Sequence, residues 1–271
     1  MNLTERKMVD VLKDLRKNFH VVGLKAEFEA EGTRLEEALR LKEVCMMADL
    51  GLTIKIGGCE ALRDMYECRV IGVDRVVAPM VESAYSLEKF LGAAKMAFPE
   101  DERKEVVFAV NVETISACRV FDEMLALPSI GLLGGVVMGR VDLTGSMKIG
   151  REAINSPEVF DITRDLLCKA KTKSLETAIG GGVSAHSLPF FRDLPAGILD
   201  RYETRKVIFG CPDALGTNAE KGILKAVGFE LLWLKNKRDY YKSIAEEDTQ
   251  RINMIESRYR SLIEAAGGKI E

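Results

Sequence analysis

Histidine is nearly missing from this chain: there are two in 271 residues, His20 and His186. That scarcity excludes a multi-histidine metal centre and leaves few candidates for a histidine base. Six cysteines (45, 59, 68, 118, 168 and 211) show no CxxC spacing and sit mostly among apolar neighbours. The usual zinc and redox patterns are thereby excluded, and the cysteines read as reduced core thiols. No apolar run reaches the roughly 18 residues of a membrane span. The polar opening MNLTERKMVDVLKDLRKNF lacks the apolar segment of a signal peptide, so the expectation is a cytoplasmic protein with no membrane partner. Charge is balanced, 39 Lys and Arg against 42 Asp and Glu for a net of −3, so no basic footprint for nucleic acid exists either. Low-complexity segments, linkers and repeats of fixed period are also lacking.

What is present is alternation. Strand-like runs occur at residues 21–30 (VVGLKAEFEA), 52–58 (LTIKIGG), 75–82 (RVVAPMVE), 106–113 (VVFAVNVE), 134–143 (GGVVMGRVDL), 175–182 (LETAIGGG) and 205–210 (RKVIFG). Between them, stretches such as RLEEALRLKEVCMMADLG carry apolar residues at helical spacing. Such β–α alternation with nearly continuous apolar strands predicts a parallel sheet covered by helices. A closed (β/α)8 TIM-type barrel, for which about 250 residues suffice, and an open doubly wound sheet both satisfy this pattern; seven strands are clear, so the eighth of a barrel is short, irregular or hidden between residues 183 and 200. The barrel is assigned to residues 1–217. Residues 218–271 form a helical extension, in which Ile252, Ile255, Tyr259 and Leu262 make an apolar stripe that packs on the barrel or on a neighbouring subunit.

Ligands bind at the carboxyl ends of parallel strands, and those ends are unusually charged here. They present Glu27 and Glu29, Lys55, Glu82, Asn111 and Glu113, Arg140 and Asp142, and the glycines Gly180, Gly181 and Gly182. Glu113 and Asp142 come from adjacent strands and suit one hard divalent cation, Mg²⁺ or Mn²⁺, which keeps several waters. Lys55 and Arg140 suit a carboxylate or a developing enolate oxygen. The plainer alternative for Asp142 is a helix cap in an Asp-Leu-Thr-Gly-Ser turn. GGGVSAHS is either a phosphate-binding turn or simply a tight one.

Three segments taken together, VVAPMVESAYSLEKF, NVETISACRVFDEML and GGVVMGRVDLTGSMKIGR, resemble the signature segments of the citrate lyase β-subunit and 2-oxo-acid aldolase family, of the 4-hydroxy-2-oxoheptanedioate type, within the phosphoenolpyruvate/pyruvate barrel superfamily. The resemblance covers roughly residues 20–150. It implies an oligomeric, most simply homo-oligomeric, barrel whose Glu113 and Asp142 bind the metal. Backbone amides from Gly139 through Val141 to Asp142 would then hold the carboxylate of a small-molecule substrate, with Gly181 and Gly182 nearby. The implied activity is carbon–carbon lysis or condensation through a pyruvate-like enolate. The alternatives are phosphoryl transfer on the same enolate chemistry, or a non-catalytic barrel subunit of a larger complex.

Two departures stand out. Lys55 occupies the place where family aldolases commonly carry an arginine, and Glu29 is followed by Ala30 where the family commonly has an acid followed by histidine. Glu29 is therefore the preferred base. Either Glu29 or Glu27 would act with a pKa raised by burial or by like-charge neighbours; His186 from the loop after the glycines and Lys55 as a Schiff-base amine are the other candidates.

Overall fold

The computed structural model describes residues 1–268. Eight strands close into a barrel in sequence order: β1 Val21–Glu27, β2 Gly51–Lys55, β3 Arg75–Ala78, β4 Val107–Val112, β5 Gly135–Gly139, β6 Glu176–Gly180, β7 Arg201–Glu203 and β8 Val207–Gly210. Helix α1 (Leu3–Phe19) precedes the barrel. Between strands lie α2 (Leu35–Met47), α3 (Leu62–Ile71), α4 (Ala84–Ala97), α5 (Glu100–Arg103), α6 (Ile115–Arg119), α7 (Phe121–Leu125), α8 (Arg140–Met147), α9 (Pro157–Lys171) and α10 (Leu188–Arg192), and α11 (Ala219–Ala265) follows β8. The TIM-type barrel with a long C-terminal helix is thus the observed architecture.

One strand runs against expectation. β1 to β7 pair in parallel, whereas β8 is antiparallel to both β7 and β1. The cause is the connection. Only three residues, Thr204 to Lys206, separate β7 from β8, and a parallel crossover needs a dozen or more. The chain turns back as a hairpin, with Thr204 donating its amide to the Val207 carbonyl at 2.9 Å and Val207 returning its own to Thr204 Oγ1 at 3.1 Å. The expected eighth strand between 183 and 200 is β7, lying just past that window. Because β8 descends, α11 starts at the opposite end of the barrel from the hairpin.

The strand faces divide as a period of two requires. Leu24, Ala26, Leu52, Ile54, Val76, Ala78, Phe108, Val110, Val136, Met138 and Ile179 are buried on one set of positions. Of the other set, Val77, Ala109, Val137 and Ala178, one each from β3 to β6, form a small apolar cluster. The remainder of that set includes several charged residues, with Thr53 and Asn111 as buried neutral polar ones. Lys25 Nζ lies 2.6 Å from Glu203 and 3.3 Å from Glu27, while Arg75 and Arg201 both pair with Glu176. Burial acts to lower the Lys25 pKa, but Glu203 and Glu27 raise it well above the ordinary lysine range.

The chain forms two compact units, Met1–Glu230 and Leu231–Glu271. Helix α11 begins at Ala219, and the units divide within it, after Glu230. In the second unit Ile252, Ile255, Tyr259 and Leu262 are all exposed. The cysteines are free, but only Cys45 and Cys68 are buried and Cys168 is exposed. Among the described residues no helix is long and apolar enough to cross a membrane.

Removing one partner of a buried ion pair strands the other charge. Glu203→Ala is therefore expected to lower unfolding free energy by about 3 kcal/mol, read as a shift of the urea midpoint at pH 7. A midpoint unchanged within error would show that Lys25 is satisfied by Glu27 alone.

Candidate active site

A cavity of about 410 Å³ opens where β1, β2 and β4 to β7 end. Its wall contains Glu27, Glu29, Lys55, Glu113, Gly139, Val141, Asp142, Gly181 and Gly182, so the residues singled out in the sequence meet in one place except for Glu82, Arg140 and His186.

Glu113 follows β4 and is 2 % exposed. Its two oxygens accept from the Met80 amide at 3.0 Å and from Asn111 Nδ2 at 2.8 Å. Burial pushes its carboxyl above the ordinary range, Lys55 and the two hydrogen bonds oppose this, and Asp142 adds to it. The approach depends on Gly139 at the end of β5: a Cβ there would lie 2.4 Å from Glu113 Oε2 and 2.7 Å from its Cβ. Glycine in GGVVMG is thus what lets a carboxylate from the neighbouring strand stand in that space.

Asp142 is exposed to the cavity from the first turn of α8. It is not the helix cap, since the N-cap position is Gly139. Among the described residues it has no hydrogen-bond or ion-pair partner in the protein. A carboxylate without a partner beside a buried one that is hard to ionise is an arrangement that a cation relieves, so the pair fits a divalent metal. Two carboxylates suit Mg²⁺, which retains waters and accepts substrate oxygens. No group of three or more His, Cys, Asp or Glu able to hold a metal ion occurs among the described residues.

Lys55 Nζ pairs with Glu29 at 2.9 Å. Burial acts to lower its pKa, but Glu113, Glu29 and Glu27 together raise it, so the amine is held as a cation and is no Schiff-base nucleophile. Glu27 departs from expectation as well. Burial pushes its carboxyl up, yet Lys25 and Lys55 outweigh that and leave it below the ordinary range; it is held ionised and lacks the raised pKa expected of it. His186 is exposed on a short 3-10 turn, Ala185–Ser187, outside the cavity. Glu82 accepts from Thr114 Oγ1 at 2.7 Å and is also outside the wall.

Arg140 was expected to touch substrate. Its side chain is instead fully buried behind the wall, directed at the carbonyls of Gly180 and Gly181 and at the 3-10 turn Arg151–Asn155. Its backbone amide and that of Val141 lie against Gly181, where a Cβ would sit 2.7 Å from each nitrogen. Gly181, at φ +78°, lets the glycine turn close onto the first turn of α8.

Comparison with known proteins bears on the fold. No family profile matches the chain, and no curated protein does. Solved structures do match. Citrate synthase SbnG aligns over 86 % of this chain and 90 % of its own, with a TM-score of 0.59 and 12 % identity. An HpcH/HpaI aldolase from Desulfitobacterium hafniense DCB-2 covers 68 % and 78 %, at 0.55 and 14 %. An HpcH/HpaI aldolase/citrate lyase family protein from Burkholderia cenocepacia J2315 covers 68 % and 88 %, at 0.55 and 13 %. The chain has the HpcH/HpaI aldolase/citrate lyase fold. At these identities the likeness is one of fold.

Several wall residues were not foreseen. Lys25 shares a face of β1 with Glu27, a period-two signal visible in LKAE. Glu203, Arg205, Val227 and Glu230 reach the cavity from the hairpin and α11, which a parallel eighth strand would not have delivered. Arg151 also lines it.

Gly139→Ala is expected to displace Glu113 and weaken Mn²⁺ binding by about 10-fold or more, the scale of a lost supporting contact, with the far-ultraviolet spectrum unchanged. Unaltered Mn²⁺ affinity, measured by calorimetry, would show that the close approach is not needed.

Proposed function

We propose that this protein is a divalent-metal-dependent carbon–carbon lyase acting on a pyruvate-like 2-oxo acid or an acyl-linked hydroxy acid. The observation that carries the reading is the juxtaposition of buried Glu113 with unpartnered Asp142 at the ends of neighbouring strands in a barrel of the aldolase/citrate lyase fold. Glu113 and Asp142 would hold Mg²⁺ or Mn²⁺. When bound, the ion supplies Lewis acidity and a template for the carboxylate and 2-oxo oxygens.

The chain's own residues do the rest. Backbone amides at the start of α8 present partial positive charge to the substrate carboxylate. Lys55, kept protonated, stabilises negative charge developing on the 2-oxo oxygen as the carbon–carbon bond breaks. Glu29, fixed by its 2.9 Å contact with that lysine, takes the proton of the substrate hydroxyl, the step that releases the carbonyl fragment. Glu27 remains ionised and, with Lys25 and Glu203, sets the electrostatic floor of the cavity. This assignment needs no histidine, consistent with the position of His186.

Glu113→Gln keeps the shape while removing the charge and one of the two acceptors that the carboxylate offers to the Met80 amide and Asn111 Nδ2. It is expected to weaken Mn²⁺ binding by more than the roughly 10- to 100-fold that loss of an outer partner costs, with the fold intact by circular dichroism. Metal affinity equal to that of the unaltered protein would remove the proposal.

A further inference from the structure

Arg140 is the most unusual charge in the barrel. It is 0 % exposed, and all of its contacts are to neutral groups. Nε donates to Gly180 O at 3.4 Å; Nη1 donates to Ile154 O at 3.4 Å and Asn155 Oδ1 at 2.6 Å; Nη2 donates to Gly181 O at 3.2 Å and Ser187 Oγ at 3.1 Å. The guanidinium carbon lies 5.0 Å from the ring centroids of both Phe190 and Phe191. No carboxylate pairs with it among the described residues. A fully buried unit charge satisfied only by dipoles and ring faces is costly, and a protein needing only a strut between these loops has cheaper choices. The position of the charge is informative. Gly180 and Gly181, whose carbonyls it grips, form the cavity wall, and Gly181 lies against the amides of Arg140 and Val141.

We infer that Arg140 is an electrostatic positioning residue, a cation buried behind the glycine turn whose counter-charge is the carboxylate of the ligand bound in front of it. The inference rests on the carboxylate-binding reading above. It adds that the anion is held by a charge it never touches, acting through a thin wall of backbone where solvent screening is weak. It also separates two roles that an arginine at this place could have. A strut depends only on the hydrogen bonds. A counter-charge depends on the guanidinium staying unneutralised.

Asn155→Asp separates them. The substitution is nearly isosteric and puts a carboxylate at the 2.6 Å contact, strengthening that contact and neutralising the charge, while giving up the 3.4 Å hydrogen bond that Asn155 Nδ2 donates to the His186 carbonyl. With Mg²⁺ present and oxalate as the probe, calorimetry of Asn155→Asp should show oxalate affinity about tenfold weaker, with Mg²⁺ affinity unchanged and thermal midpoint equal or higher. Asn155→Ala, which loses the hydrogen bonds to Arg140 and to the His186 carbonyl and adds no charge, should stay within about twofold of the unaltered protein in oxalate affinity. Equal oxalate affinity in Asn155→Asp and the unaltered protein would overturn the inference, as would equal losses in the two variants. Failure of the unaltered protein itself to bind oxalate with Mg²⁺ has a different signature: it would overturn the carboxylate reading, and the inference with it.

Discussion

The site depends on one close approach. Glu113 can be buried at the end of β4 only because the neighbouring strand has no side chain at Gly139, and the helix that follows begins there, so Asp142 arrives one turn later on the same wall. A carboxylate so enclosed is costly to ionise, which keeps it short of charge compensation until a cation comes. Lys55 supplies part of that compensation and is itself tied to Glu29. The groups form a coupled set in which removing any one changes the ionisation of its neighbours, and such coupled, displaced titrations are characteristic of functional sites.

A second layer of charge lies beneath. Inside the barrel Val77, Ala109, Val137 and Ala178 of β3 to β6 form an apolar cluster, Lys25 sits between Glu27 and Glu203 on β1 and β7, and Arg75 and Arg201 pair with Glu176. The hairpin that reverses the last strand follows Glu203 directly. That reversal brings Arg205 to the cavity and turns α11 so that Val227 and Glu230 line it too. The part of the wall built by the hairpin and α11 is therefore set by a three-residue turn, while the metal-binding wall is built by the regular parallel strands.

Legibility followed the same division. The parallel strands were readable because each is a short apolar run, and their polar ends fall together once the strands are aligned; that is why Glu113, Asp142, Lys55, Glu29 and the glycines could be named. Arg140 was misplaced because residue order says where a side chain starts and not which way it leaves the backbone. On the first turn of a helix packed beneath a glycine loop, it leaves backwards. β7 escaped notice because three residues give no periodicity. The ionised state of Glu27 is set by Lys25, two residues away on the same strand face, and by Lys55 on the neighbouring strand; Lys25 was not foreseen as its partner.

The account is tested most directly by proton–deuterium exchange at the methyl group of pyruvate, followed by nuclear magnetic resonance with protein plus Mg²⁺ or Mn²⁺ and with chelator as control. Metal-dependent exchange, lost with chelator, is the result predicted for a site that stabilises the pyruvate enolate. Metal binding confirmed independently, with no exchange above the protein-free rate, would contradict it.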